Sequence, residues 1–184
     1  MSGRRVHRLL ECWAAVALAA CGSSSVRFET VAAPAADFAA VKSVAVLPLV
    51  NHSASPEAAA SVRAVLMKDL EAHAGLHVIE VPATAVDPTT VDRELARDIA
   101  KALGADAAVT GTVLAFGYVR GSARMGTPAV RLDLRLVDAA ANVVWAARAS
   151  GTDAPDFPQA GATLTSLTDE IARRLAQDLA GRRE

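Results

Sequence analysis

The side chains that could do chemistry in this chain are few, and their spacing does not bring them together. His73 and His77 have the four-residue spacing of zinc-binding histidines on a helix, but Gly75 ends the predicted helix between them. Two pairs of carboxylates are two residues apart on predicted helices and point in different directions: Asp69 with Glu71, and Asp92 with Glu94. Because no phosphate-binding loop, dinucleotide fingerprint or nucleophile elbow is present either, the sequence predicts a protein that is not an enzyme and holds no metal.

One loop is a candidate site for binding a ligand. Residues 51–53 follow a predicted buried strand and precede the start of a predicted helix, where backbone amides favour anions. Most such loops bind nothing, so this site stays an open alternative.

One of the two cysteines has neighbours that indicate a specific chemistry for its thiol. Cys21 follows the small apolar residues 18–20 and precedes Gly22 and a serine tract. This stretch resembles the bacterial lipobox, in which the thiol is alkylated with diacylglycerol, the preceding peptide is cleaved and the new amino terminus is acylated. The resemblance implies covalent diacylglycerol and an N-acyl chain, such as palmitate, on Cys21, with no other cofactor expected.

The residues before Cys21 have the layout of a secretory signal. Arg4, Arg5 and Arg8 precede an apolar stretch over residues 12–20. This stretch is too short for a spanning helix, which needs roughly 20 residues. We therefore predict a signal peptide over residues 1–20. An ordinary signal with a chance cysteine, or a buried helix, is the alternative.

Processing at this site would leave a lipid-anchored chain without disulfides. Cys12 would be removed with the signal and Cys21 would carry lipid, so no cysteine pair remains. Several acyl chains give stable membrane anchoring. Gly22 is not the aspartate that retains lipoproteins of this kind in the inner membrane, so the resemblance implies the periplasmic face of the outer membrane. The basic residues are not clustered into a stripe, so no nucleic-acid partner is expected.

The rest of the chain divides into a leash and one domain. Residues 21–40 are predicted to form a lipidated flexible leash, with 26–30 as a possible short edge strand, and residues 41–184 a periplasmic domain. A near-continuous apolar run over 44–50 indicates a buried strand, and Ser55, Pro56 and Glu57 have the pattern of an N-cap, a first-turn proline and a first-turn acid.

Later segments repeat these strand and helix patterns. Helices are predicted to end near Gly75 and Gly104, the second with Val91, Leu95 and Ile99 on its apolar face. Strands are predicted over 76–81 and 105–119, then a hairpin over 129–150 and a last helix with apolar positions from Leu164 to Leu179. The fold class is α/β: one domain, a mixed sheet of about five strands and three helices in the order β-α-β-α-β-β-β-α.

Three segments together resemble a known superfamily. They are "VAVLPLVNHS", "LGADAAVTGTVLAFG" and "VRLDLRLVDAAANVVWAARASG". The pattern resembles the bacterial envelope proteins that include the curli-secretion lipoprotein CsgG, the exopolysaccharide lipoprotein PelC, the peptidoglycan-synthase activator LpoB and the amino-terminal domain of TolB. This resemblance, over roughly residues 41–179, implies a non-catalytic domain that scaffolds or assists an envelope assembly or secretion machine, with ring formation by copies of itself as one form.

Alternatives remain open beside that interpretation. An LpoB-like activator of a peptidoglycan synthase is one, and a small-ligand-binding module or an unrecognised enzyme is another. A CsgG-like pore is disfavoured, because residues 117–128 are too few and too rich in glycine for spanning hairpins, which need about 9–11 residues per strand.

Two surfaces are candidates for contact with an envelope protein or a second copy. The first is the loop between the third and fourth predicted strands, with Tyr118, Arg120, Arg124 and Met125. The second is the polar side of the strictly alternating strand over 129–138, with Arg131, Asp133 and Arg135. Alternation leaves these three charges no place in the core, so we expect them to face water or another subunit.

Overall fold

The computed structural model describes residues 25–33, 37–119, 126–152 and 163–183. The predicted signal peptide and Cys21 lie outside these residues. The described strands and helices have the following bounds: β1 Ser25–Ala32, β2 Ser43–Val46, β3 Val50–Asn51, α1 Ala58–Ala74, β4 His77–Glu80, α2 Arg93–Ala102, β5 Ala107–Val119, β6 Thr127–Asp138, β7 Val143–Thr152 and α3 Leu164–Gly181. Short 3-10 helices cover Phe38–Ala40 and Pro88–Thr90.

The strands form one mixed sheet in the order β1-β7-β6-β5-β2-β4, and β3 pairs with β5. β2 runs parallel to β4 and β5, whereas β5, β6, β7 and β1 pair antiparallel. The predicted α/β class and the three helices are confirmed. The described sheet has seven strands rather than about five, because β1 joins its edge and the predicted strand over 44–50 is divided into β2 and β3. Pro48, which has no backbone N–H to donate, lies at that division.

Two apolar layers hold the helices on opposite faces of the sheet. Val44 and Val46 of β2 pack with α1 and α3, whereas Ala45 and Leu47 pack with α2. Successive residues of a strand point to opposite faces, so β2 is buried on both sides, as its continuous apolar run predicts. On β6 the alternation is equally regular, because Leu132, Leu134 and Leu136 are buried beneath α3 and the residues between them are not.

Two of the predicted helix features are wrong in detail. α1 begins at Ala58 rather than at Ser55, since residues 56–57 form a turn and Glu57 occupies the N-cap position without a side-chain cap. In α2 the fully buried residues are Ala96 and Ala100, whereas Leu95 is 36% exposed. Alanines let the helix approach the sheet closely. The predicted Val91 and Ile99 pack half-buried against this apolar layer, so the prediction is wrong for Leu95. α1 ends as predicted, at Gly75 in the left-handed conformation.

The segment predicted as a flexible leash contains a full strand. β1 pairs with β7 along its whole length, from Ser25 opposite Thr152 to Ala32 opposite Trp145. The described fold therefore begins at Ser25 and not at residue 41. Residues 26–30, predicted as a possible short edge strand, are the middle of β1.

Candidate interaction surface

The sheet surface opposite α3 has side chains from β1, β7 and β6 in regular cross-strand rows. We name three of these rows by their order from the end of the sheet at which β1 begins. The first row is Arg27, Ser150 and Arg131; the second row is Glu29, Arg148 and Asp133; the third row is Val31, Ala146 and Arg135. All nine residues are exposed or half-buried. We call this surface the open face.

The predicted ladder residues thus lie on one solvent-facing surface. Arg131 and Arg135 are exposed and Asp133 is half-buried, which agrees with the register that strict alternation predicts. Their role in partner contact remains a prediction. Sequence reasoning missed the neighbouring Arg148 and Glu29, although the alternation in "WAARAS" indicated that β7 also has one polar side.

The second row is paired internally, whereas the first is not. Arg148 donates from Nε to Oδ1 of Asp133 at 3.0 Å and from Nη2 to Oδ2 at 3.3 Å. This hydrogen bonding raises the pKa of the Arg148 guanidinium above its ordinary value, and the charge of Glu29 acts in the same direction. Among the described residues, neither Arg27 nor Arg131 has an ion-pair partner.

The predicted contact loop is described only at its margins. Tyr118 is 59% exposed and Val119 is 57% exposed, at the end of β5. Arg120, Arg124 and Met125 lie outside the described residues. The register places this end of β5 beside the start of β6, the end of β7 and the start of β1.

A half-buried polar cluster connects β1 to the last helix. Asp178 of α3 accepts hydrogen bonds from Trp145 Nε1 at 2.9 Å, from Arg182 Nε at 2.9 Å and from Thr30 Oγ1 at 3.3 Å. Arg182 Nη2 also donates to Thr30 Oγ1 at 2.9 Å. We call these four residues the Asp178 cluster. It links β1 and β7 to α3 through one carboxylate.

The loop before α1 satisfies its own polar groups. Asn51 Oδ1 accepts hydrogen bonds from the backbone N–H and the hydroxyl of Ser53, and Asn51 Nδ2 donates to the carbonyl oxygens of Ser55 and Pro56. The side chains of Asn51 and Ser53 in the candidate anion site are therefore directed at the loop itself. In the described part of the chain, no three His, Cys, Asp or Glu residues are placed to share a metal ion. None of the helices described is long and apolar enough to cross a membrane.

These elements define a single α/β domain with a mixed sheet, helices on both sides of its parallel part and a charged open face on its antiparallel part. The same fold occurs in solved structures of other bacterial proteins. The PelC dodecamer from Paraburkholderia phytofirmans superposes with a TM-score of 0.65 at 22% identity, covering 84% of this chain and 97% of that chain. Lipoprotein GNA1162 from Neisseria meningitidis superposes at 0.52 with 20% identity, covering 76% and 98%.

The predicted resemblance to PelC is thereby confirmed for the fold. The LpoB C-terminal domain from Salmonella enterica superposes with a TM-score of 0.42, too low to carry an argument about this chain. No protein-family model and no curated protein sequence matches the chain.

Proposed function

We propose that this chain is a lipid-anchored, non-catalytic accessory protein of a bacterial envelope machine, which acts by contact with other proteins and with copies of itself. Its fold is that of PelC and of lipoprotein GNA1162. The dodecameric state of that PelC supports self-association as part of the proposal. Residues 18–25 support the lipid anchor through their resemblance to the lipobox.

The observation that carries the proposal is the start of the fold at Ser25, only four residues after Cys21. A fully extended chain advances at most about 3.5 Å per residue, so the first strand lies within about 14 Å of the anchored residue. β1 is in turn fastened to α3 by the Asp178 cluster. Lipid on Cys21 would therefore hold the whole domain close to the membrane surface, with the ends of β5 and β7 on the side nearest the anchor.

The anchor is tested by detergent-phase partitioning of the full chain. We expect Cys21→Ser to move the protein out of the detergent phase, whereas Cys12→Ser serves as the matched control and leaves partitioning unchanged because residue 12 is removed with the signal. If Cys21→Ser fractionates with membranes as the parent does, the lipid anchor is wrong.

The proposed outer-membrane location depends on Gly22. We expect Gly22→Asp to shift the protein toward the inner-membrane fraction of a density gradient, and Gly22→Ala to leave it in the outer-membrane fraction. Equal distributions of these two variants would contradict the sorting proposal without affecting the anchor.

Self-association is tested by sedimentation velocity of the purified full-length protein in detergent. A species several times the mass of one chain is expected. A monomer at every concentration tested would remove assembly with copies of itself from the proposal and leave contact with other envelope proteins.

Tyr118→Ala tests whether the margin of the predicted loop is a contact surface. It should reduce crosslinking to partners without lowering stability by more than about 0.5 kcal/mol.

A further inference from the structure

The charges of the open face are arranged so that neighbouring rows have opposite character. The outer residues of the first row are both arginines, Arg27 and Arg131. The outer residues of the second row are both acids, Glu29 and Asp133. Two residues separate the rows along each strand, which is a distance of about 6.8 Å. One face of the sheet thus carries a pair of positive charges directly beside a matching pair of negative charges.

This arrangement is complementary to itself under a two-fold rotation. Consider an axis in the plane of the interface, perpendicular to the strands and passing between the first and second rows. It stacks each strand of one copy on the same strand of the second copy and exchanges the two rows. Arg27 then faces Glu29 of the second copy, and Arg131 faces Asp133 of the second copy. Because a two-fold contact repeats every interaction, four ion pairs form.

The middle and outer positions fit the same arrangement. Ser150 faces Arg148 of the second copy, so a small hydroxyl lies opposite the largest side chain at the centre. Two residues further out, Arg135 faces Ala129 of the second copy, again a long side chain opposite a small one. Aligned sheets that pack face to face lie about 10 Å apart with their strands rotated by about 30°, which leaves room for these side chains.

Beyond the rows, the rotation brings the exposed end of β5 toward the partner's α2. Val119 lies on the same side of the sheet as the rows, and its side chain is 57% exposed. The rotation places it over the partner's α2, which covers Ala108 and Val137 on the same side of that sheet, so the two sheets must lie further apart at their ends than at the central rows. Leu95 of α2 and Leu103, the residue that follows the helix, are 36% and 41% exposed. An apolar contact at each end would then flank the central ion pairs.

We propose that the open face is a binding surface for a second copy of this chain, with the first row of each copy on the second row of the other. Three rows of three residues bury less surface than the roughly 800 Å² per partner of a standard interface, so the contact is weak in solution. Tethering two copies to one membrane would raise their effective concentration. This inference rests on the self-association proposed above. It does not depend on Cys21, because the complementarity is a property of the folded domain.

Charge exchange between two variants tests the pairing. The first variant, Arg27→Glu with Arg131→Glu, makes both rows acidic at their outer positions. The second variant, Glu29→Arg with Asp133→Arg and Arg148→Glu, makes both rows basic there and keeps the cross-strand pairing of the second row. Each variant alone should bind itself at least tenfold more weakly than the parent, which corresponds to about 1.4 kcal/mol. Mixed together they should associate with each other, because each row then faces the opposite charge.

Arg131→Glu alone is compared with its matched control, Arg135→Glu, which makes the same change in charge on the same side of β6. It faces Ala129 of the second copy, so it should leave self-association within about twofold of the parent. Sedimentation of fluorescently labelled full-length proteins in detergent, at about 50 mM and 500 mM salt, measures all cases. The parent association should weaken at high salt, because exposed charges are screened over shorter distances there.

Several results would overturn the proposal. A parent protein that is monomeric at about 100 μM in low salt would do so, and so would a mixture that associates no better than either variant alone. An equal loss in Arg135→Glu would show a general effect of charge rather than this pairing. If the first variant lost crosslinks to a different envelope protein while self-association was unchanged, the open face would belong to that partner.

Discussion

Removing the Asp178 carboxylate should destabilise the domain far more than removing another acid of the same helix. Asp178 receives hydrogen bonds from Thr30 of β1, Trp145 of β7 and Arg182 at the end of α3. In the part of the chain that the structure describes, Glu170 pairs only with Arg173 and Arg174 of its own helix. We therefore compare Asp178→Ala with Glu170→Ala. Both variants replace an acid on α3 with alanine, the best helix former. Because Asp is a poorer helix former than Glu, helix propensity favours Asp178→Ala more, which works against the expected loss.

The magnitude follows from what Asp178→Ala leaves behind. Trp145 is 3% exposed, so its Nε1–H would be buried without the partner that it now has at 2.9 Å. An orphaned buried donor costs about 1–3 kcal/mol. The ion pair with Arg182, whose side chain is 30% exposed, adds about 0.5–1 kcal/mol. We expect a loss of about 2–3 kcal/mol, or about 5–10 °C in Tm for a domain of this size, against less than 1 kcal/mol for Glu170→Ala.

The loss should depend on pH in a definite direction. Burial raises the pKa of Asp178, but hydrogen bonds from Arg182 and Trp145 outweigh it and hold the pKa below the ordinary value of 3.8. A carboxylate with a lowered pKa stabilises the fold above its unfolded pKa and loses that contribution as pH falls through the folded pKa. The difference between the parent and Asp178→Ala should therefore be constant from pH 5 to 8 and shrink below about pH 4.

A double-mutant cycle with Trp145→Phe separates the two contributions. Trp145→Phe removes the N–H donor, so Asp178→Ala should cost less in that background by about 1 kcal/mol or more. Urea unfolding of the four proteins gives the free energies of unfolding. Additivity within about 0.5 kcal/mol would refute the claim that the orphaned indole N–H causes the loss.

Three further substitutions test other contacts by thermal unfolding. Asp69→Asn should raise Tm above about pH 6 and not near pH 3. Burial raises the pKa of Asp69, so the protonated acid stabilises the fold at low pH and this contribution is lost as pH rises through the raised pKa. An equal effect at both pH values would contradict this. Gly111→Ala should destabilise by about 1–3 kcal/mol, since its Cβ would lie 2.4 Å from the Asp133 carbonyl oxygen, whereas Gly181→Ala meets nothing within 4 Å and should not. Arg63→Met should cost about 1–3 kcal/mol, because it leaves the carbonyl of Val81 without the guanidinium donor and removes one of the two hydrogen bonds to the carbonyl of Val46, which also accepts from the Val81 N–H. A loss below about 1 kcal/mol would show that these bonds are replaced.

The parts of the fold that local patterns determine could be predicted from the sequence. The alternation in β6 is regular because one side packs on α3 and the other faces solvent. The two-residue repeat of apolar side chains therefore predicted both the strand and its exposed residues. Gly75 ends α1 because a left-handed residue is needed there. β1 was harder to predict, because its place in the sheet depends on pairing with β7, more than 110 residues later, and on Asp178 near the end of the chain.

Only part of the candidate surface could be predicted from the sequence, for the same reason. Arg131, Asp133 and Arg135 were found from β6 alone, since a single strand shows its own polar side. Glu29 and Arg148 complete the rows only after the register of two more strands is fixed. Sequence spacing carries no information about which residues of distant strands are opposite each other, so the paired rows could not be derived before the structure.

The two edges of the sheet favour contact through its faces rather than through added strands. An exposed edge strand is a template for pairing with another chain unless it is short, charged or interrupted. β4 has four residues and is followed closely by Pro82, and it ends in the exposed Glu80. β1 is longer, but it carries Arg27 and Glu29, and its start is joined to the predicted anchor. Extending the sheet from either edge would meet charge or proline, which favours the open face or the exposed strand ends as the contact surface of the proposed assembly.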